Sequence, residues 1–196
     1  MKKIKSSWVI LGIIIIILLW TMGSYNGLVS SQETVKQTWS DVETTYQRRL
    51  DLIPNLVNTV QGAVEFEQTT QTQIAALRTG AVAAKEAYQQ AGTQAEKIQA
   101  FQQSDQVLTQ FRALNINVEN YPELRATENF LSLQDELAGT ENRITVARQR
   151  YNEAVKNYNV KTRRFPSNII AGLFGFEQET AFEAQTGAEI APVVEF

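Results

Sequence analysis

The chain has 196 residues and contains neither histidine nor cysteine. That double absence excludes disulfides, histidine general bases, cysteine nucleophiles and the usual zinc ligand sets. Apolar residues make up 43% and charged residues 20%, and the formal net charge of −3 argues against a general nucleic-acid binder.

The charge is unevenly placed. Residues 1–32 carry Lys2, Lys3 and Lys5 and no acid, residues 33–164 are nearly balanced, and residues 165–196 carry five Glu and no base. Between Lys5 and Glu33 lie 27 residues without a formal charge. Their most apolar part runs from Trp8 to Trp20. A helix over residues 6–25 would be about 30 Å long, the thickness of a hydrocarbon core. Trp8 at one end and Trp20 with Tyr25 at the other suit the two interfaces. The isoleucine run is poor helix material in water, but in lipid unsatisfied backbone groups cost more than β-branching. The run is long for a cleaved secretory signal and no small-x-small pattern directly follows it, so an uncleaved anchor is expected. A lipoprotein is excluded by the lack of cysteine. The three lysines place the tip, residues 1–5, in the cytoplasm and the main domain outside the cytoplasmic membrane.

Beyond the anchor the apolar residues take a helical stride. Val35, Trp39, Val42, Tyr46, Leu50, Ile53, Val57, Val60 and Val64 fall three or four apart. Pro54 lacks an N–H for the carbonyl of Leu50 and predicts a kink rather than a stop. Phe66, Ile74 and Leu77 continue the stripe weakly, and Gly80 marks the first turn. A second helix is expected from Lys85 to Leu114, with Ala84, Tyr88, Ile98, Phe101, Leu108 and Phe111 on its stripe. Gly92 predicts either a break in it or a face of small residues. Asn115 to Pro122 reads as a loop, with Pro122 and Glu123 opening a third helix that ends near Asn159. Phe130, Leu133, Leu137, Ile144, Ala147, Tyr151, Ala154 and Tyr158 form its stripe. Phe165 to Asn168 begins a short fourth helix, started by Pro166 or capped by Ser167 and limited by Gly172 and Gly175. An acidic, flexible tail is expected over 187–196.

The reading is all-α: an N-terminal transmembrane helix followed by an antiparallel, four-helix-type bundle with a long first helix, over residues 26–186. The first soluble helix is free to continue the membrane helix, since Gly23 and Gly27 are its only weak points.

Acids, amides, Arg, Lys and Tyr are what remains for chemistry. The densest stretch is Arg48 to Val60, where Arg48, Asp51 and Asn55 share a helix side at spacings of three and four. A hydrolase or magnesium site would pair Asp51 with Glu136 or Glu141. The spacing is not diagnostic, and bundle-type di-iron sites need Glu-x-x-His pairs that this chain cannot form, so the expected role is structural: Arg–Asp pairing and amide hydrogen bonds setting the bend at Pro54 and the bundle register. Thr79 to Lys85 lacks the second glycine, the Ser/Thr and the strand of a phosphate loop. Arg143, Arg148, Arg150, Lys161, Arg163 and Arg164 make a basic region. It reads as surface neutralisation or, for Lys161, Arg163 and Arg164, as contact with acidic lipid headgroups. The aromatic residues at core stride read as packing and not as a base-stacking platform.

The segments YNGLV (25–29), YQRRLDLIPNLVNTV (46–60), YPELRA (121–126), LQDELAGTENRITVARQRYNEAVKNYN (133–159) and FPSNIIAGLFGF (165–176) resemble the LemA family of single-pass bacterial membrane proteins. The resemblance implies a short tip, one membrane span and a helical bundle, and transfers no catalytic residue. It marks as signature positions Tyr25, Asn26, Arg48, Arg49, Asp51, Pro54, Asn55, Pro122, Glu123, Glu141, Arg148, Tyr151, Asn152, Tyr158, Asn159, Phe165 and Pro166. Family members commonly carry a His-Glu-like pair where this chain has Glu65-Phe66-Glu67. Descriptions of the family place the tip outside the cell, opposite to the lysine argument, which is preferred here. The expected function is a non-enzymatic, membrane-anchored scaffold or adaptor of the bacterial envelope, without a cofactor. Its expected partners are lipids around the N-terminal helix and a second copy or another envelope protein. Lipid organisation by residues 161–176 and a carboxylate hydrolase are the alternatives.

Overall fold

The computed structural model describes residues 6–63, 68–113 and 128–182. The expected tip, the Asn115–Pro122 loop with Glu123, the Glu65–Glu67 segment and the tail from residue 187 lie outside them. Five helices fill the described residues: α1 (Ser6–Ala63), α2 (Gln68–Gln90), α3 (Gln94–Ala113), α4 (Glu128–Arg163) and α5 (Ser167–Phe174). No strand occurs among them.

The membrane helix and the first soluble helix are one. α1 runs 58 residues through Gly23, Gly27 and Pro54 without a break, about 87 Å of continuous helix. Its apolar end meets the length and hydropathy of a membrane span and is unburied by protein. Just beyond Trp20 the Thr21 hydroxyl donates to the Ile17 carbonyl at 2.8 Å, so it is satisfied by its own helix.

The chain forms two compact units, one within Met1–Ser40 and Arg148–Phe196, the other within Asp41–Ala147. In the second unit the stripes meet. Val42, Tyr46, Leu50, Ile53, Val57 and Val60 of α1 are buried, as are Ile74 and Leu77 of α2, Phe101, Leu108 and Phe111 of α3, and Phe130, Leu137 and Ile144 of α4. Tyr46 stacks on Phe101 at 4.1 Å with an 8° interplanar angle, and Tyr88 stacks on the same ring at 5.5 Å. α2 and α3 run antiparallel: Tyr88 meets Phe101 near the turn, while Gly80 meets Val107 further away from it. In the first unit, Val35 of α1 and Tyr151, Ala154 and Tyr158 of α4 are buried, with Ser31 beside Lys161 and Trp39 beside Tyr151. There α1 and α4 also run antiparallel.

Three expectations about boundaries change. Gly80 is not a turn but the middle of α2, where a Cβ would stand 3.0 Å from Cγ2 of Val107; it permits close approach of two helices. The weak stripe at Ile74 and Leu77 belongs to this separate α2, not to α1. The helix expected to start at Lys85 begins at Gln68 instead, and of the two readings of Gly92 the break is the one found, splitting the stretch into two helices at Ala91–Thr93. The split is enforced by a capping box: the Glu96 carboxylate accepts from the backbone N–H of Gly92 and Thr93 at 2.8 and 3.0 Å, and Thr93 Oγ1 accepts from Glu96 N–H at 3.3 Å. Those hydrogen bonds, the one from Thr93 N–H foremost, hold the Glu96 carboxyl below its ordinary range.

Candidate functional site: a charge network and a clamped strap

Two groups of polar side chains stand out. The first surrounds the middle of α1. Arg48 binds Glu136 through Nε at 2.9 Å and through a guanidinium terminus as well. Arg49 is 3% exposed, pairs with Asp105 and reaches Glu141 at 3.6 Å. Its guanidinium carbon lies 5.2 Å above the ring of Tyr46, and its buried Nε has no hydrogen-bond partner. Arg112 of α3 also pairs with Glu141. Asp51 accepts from Lys85 of α2 at 2.8 Å. Glu43 accepts from Tyr88 at 2.8 Å and pairs with Lys97. Desolvation, then the hydrogen bond and negative charge of Glu43, push the Tyr88 phenol up to about 12.

These pairings correct the local one drawn from spacing. Arg48 and Asp51 bind different helices instead of each other, because an elongated guanidinium reaches a facing helix as readily as the next turn. Asn55 is exposed, and its backbone carbonyl accepts from the Thr59 hydroxyl at 2.9 Å. Pro54 sits half-buried inside α1. Asp51, Glu136 and Glu141 are each matched by a cation from another helix. Among the described residues no group of three or more acids is placed to hold a metal ion.

The second group lies on α4. Residues 176–182 leave α5 as an extended strap whose backbone is held by side chains of α4. Asn159 donates to the carbonyl of Glu179 at 2.8 Å and accepts from its N–H at 2.9 Å. Asn152 does the same for Phe182, at 3.1 and 2.9 Å. Between them Tyr151 donates to the carbonyl of Thr180 at 2.8 Å. The strap carries Phe182, 6% exposed, whose ring stacks on Trp39 at 6.0 Å and meets Tyr151 edge-on at 5.5 Å. The Arg148 guanidinium lies 4.8 Å from the Phe182 centroid. Tyr158 is fully buried with an unpartnered hydroxyl; burial first, then Glu179 and Glu177, raise its pKa. The signature residues Arg148, Tyr151, Asn152, Tyr158 and Asn159 thus gather on one strap. Phe182 belongs with them and was not singled out in the sequence; its signal there is a lone aromatic residue in an acidic stretch.

The remaining signature residues form the turn from α4 into α5. The Ser167 hydroxyl lies 2.8 Å from the carbonyls of both Lys161 and Arg164, which share its one proton, so it finishes α4 rather than capping its own helix. Pro166 occupies the N-cap position of α5 and follows Phe165 in a cis peptide. Gly175 ends α5 with φ of 71°, a left-handed conformation that costs glycine little, and Phe176 N–H closes on the carbonyl of Ala171 at 2.9 Å. Phe165 is 77% exposed. Lys161 donates to the Ser31 hydroxyl, whereas Arg163 and Arg164 are exposed and form no ion pair among the described residues.

The chain is similar to known proteins over most of its length. The LemA family profile matches residues 38–196. Protein LemA of Metamycoplasma hominis is 22% identical over 163 residues, covering 83% of this chain and 70% of that protein. Magnetosome proteins MamQ 1 and MamQ 2 of Paramagnetospirillum magneticum are each 27% identical over 77 residues, 39% of this chain. The matched region spans 28% of each of those two relatives. With the profile running from just before Trp39 to the last residue, and so across the charge network, the strap and the α4–α5 turn, the protein belongs to the LemA family.

Proposed function

We propose that the protein is a scaffold or adaptor of the bacterial envelope, anchored in the cytoplasmic membrane by α1 and carrying its main domain on the extracytoplasmic side. The observation that carries this reading is where the reactive side chains go: the acids of the α1 region are matched by cations from neighbouring helices. Such a network sets register and holds a surface still, which suits a binding protein. On this reading residues 6–25 are the span, 26–186 the working domain, and the partner is a second copy or another envelope protein. Cross-linking in intact cells tests it. Covalent adducts of constant mass, recovered on cross-linking residues of the α4 surface, are expected. A chain that stays monomeric and partnerless after cross-linking in native membranes overturns the reading.

A second reading concerns residues 161–176, which we place against the bilayer. It rests on Phe174, whose ring lies 4.9 Å from that of Tyr25 and which shares a groove with Leu18, Leu19 and Met22 of the anchor. A single cysteine at Ile169 is then expected to resist a membrane-impermeant maleimide in intact membranes and to react once the membrane is dissolved. Equal labelling in both states removes the reading.

A further inference from the structure

α1 serves as a depth ruler for the end of the bundle. Lys161 meets α1 at Ser31. Ile170 and Ala171 of α5 bury against Leu28, one turn nearer the membrane. Phe174 and Phe176 meet Tyr25 at 4.9 and 5.7 Å. Phe174 also lines a groove with Leu18, Leu19, Thr21 and Met22, inside the apolar run. From Ser31 to Leu18 is about 20 Å along the helix, so α5 descends from a headgroup level into the hydrocarbon.

The chemistry changes with that depth. The upper level carries three exposed cations, Lys161, Arg163 and Arg164, of which the two arginines have no ion pair among the described residues. The lower level carries exposed apolar side chains: Ile169 is 50% exposed, Leu173 73% and Phe174 57%. No acid lies between Lys156 and Phe176. A cationic rim above an apolar groove is complementary to an amphiphile with an anionic head and a hydrocarbon tail.

We infer that the angle between α1 and α5 binds an anionic phospholipid, its phosphate at Lys161, Arg163 and Arg164 and one acyl chain in the groove of Leu18, Leu19, Met22, Tyr25 and Phe174. This rests on the lipid-facing reading of residues 161–176 and adds the ligand to it. The site selects anionic over zwitterionic lipid because a choline or ethanolamine cation would face the same rim. Each arginine contributes about a fivefold preference, the factor equivalent to one cation near an anionic surface.

Two measurements on the full chain separate the inference from the reading beneath it. The chain has no native cysteine, so Leu173→Cys carries a single nitroxide in nanodiscs of phosphatidylcholine with phosphatidylglycerol. The label is expected to be accessible to oxygen and shielded from a polar relaxant, with a Glu177→Cys label showing the reverse. A water-exposed label at residue 173 overturns both the reading and the inference. Lipid retained after detergent extraction is then counted by native mass spectrometry. Phosphatidylglycerol is expected to be retained over phosphatidylcholine. Retention should fall about 25-fold in the Arg163→Gln/Arg164→Gln double variant and return in Arg163→Lys/Arg164→Lys, with helix content unchanged. Equal retention of the two lipids, or a double variant that retains phosphatidylglycerol as well as the parent does, overturns the anionic site while leaving the lipid-facing reading in place.

Discussion

Asn152 and Asn159 each offer a neighbouring backbone what a strand would offer, one acceptor and one donor on a single amide. Seven residues on a helix advance about 10.5 Å and three residues of extended chain about 10 Å, so two asparagines a heptad apart meet Glu179 and Phe182 in register. Replacing Asn159 with Leu removes two hydrogen bonds and leaves the Glu179 amide without a partner. We expect the strap to open locally by about 2 kcal/mol, at about 1 kcal/mol per bond, read as faster hydrogen exchange at Glu179 and Phe182. Asn159→Asp keeps the acceptor, loses the donor and sets a carboxylate facing the Glu179 carbonyl, so exchange should rise there as well. Unchanged exchange in both variants would mean that Asn159 does not hold the strap. The role of these asparagines was not legible in the sequence because their partners are main-chain atoms, which any residue supplies. The sequence marked the positions and hid the contact. Tyr88 can be argued from its titration. Its folded pKa, about 12, lies above the ordinary 10.0, so the unfolded chain releases the proton first as pH rises. The stability this provides is complete below pH 10 and is lost between about pH 10 and 12. Tyr88→Phe is therefore expected to cost about 1 kcal/mol at pH 7, for a half-buried hydrogen bond to a carboxylate. The gap to the parent should narrow in denaturant titrations above pH 10. A gap constant to pH 12 would show that Glu43 does not hold the phenol.

The helical stripes were legible because packing repeats at the period of the helix: the residues read at stride from Val35 to Val60 are buried in α1, apart from a half-buried Trp39 that contacts Tyr151. The α4 stripe likewise runs buried from Phe130 to Tyr158, apart from the half-buried Leu133. Glycines misled, because a glycine in sequence marks either a turn or a close approach. Gly92 lies where two helices part, beside a Thr93–Glu96 box that names the boundary; Gly80 lies where two helices touch. The distinction is one of neighbours across space, not along the chain. At Gly80 it has a measurable consequence. An added Cβ stands 3.0 Å from Val107 Cγ2, so Gly80→Leu should overfill the α2–α3 contact and cost about 1–3 kcal/mol in denaturant unfolding. This should occur despite the helix-propensity gain of about 1 kcal/mol for leaving glycine. Val107→Ala in the same chain should return part of that loss, giving a non-additive pair. A Gly80→Leu chain more stable than its parent would mean that the α2–α3 contact does not depend on glycine at residue 80. The ion pairs were half legible: Arg48, Arg49, Asp51 and Glu141 were marked, but Asp105, Lys85 and Arg112, which complete them, sit on helices whose facing sides only the fold reveals.

At the scale of the molecule, one helix supplies both the apolar run and residues of the bundle core. α1 runs from Ser6 to Ala63 without a break, so the apolar run and the α1 residues of the charge network belong to one helix. The orientation is then set by the residues flanking the span. Lys2, Lys3 and Lys5 precede it, while Lys36 is the first cation after it and is paired with Glu33 at 2.7 Å. Lysine and arginine near span ends favour the cytoplasmic face, and acids contribute little to that choice. In the cationic foot of Lys161, Arg163 and Arg164, Lys161 meets α1 at Ser31, which follows the apolar run in the chain, whereas the lysines of the tip precede it. On the lipid-facing reading of residues 161–176 it opposes the tip, three cations against three, but meets the membrane only after the bundle has folded, whereas the tip acts during insertion. We expect a tag at the carboxy terminus to be digested by protease added to spheroplasts and protected in inverted inner-membrane vesicles. Replacing Lys2, Lys3 and Lys5 with Gln and Met22 and Ser24 with Lys should move a large fraction of chains to the reverse orientation. Neutralising Arg163 and Arg164 should leave the parent orientation unchanged. A tag protected in spheroplasts of the parent chain would place the domain in the cytoplasm, and would mean that the foot, not the tip, sets the direction of the span.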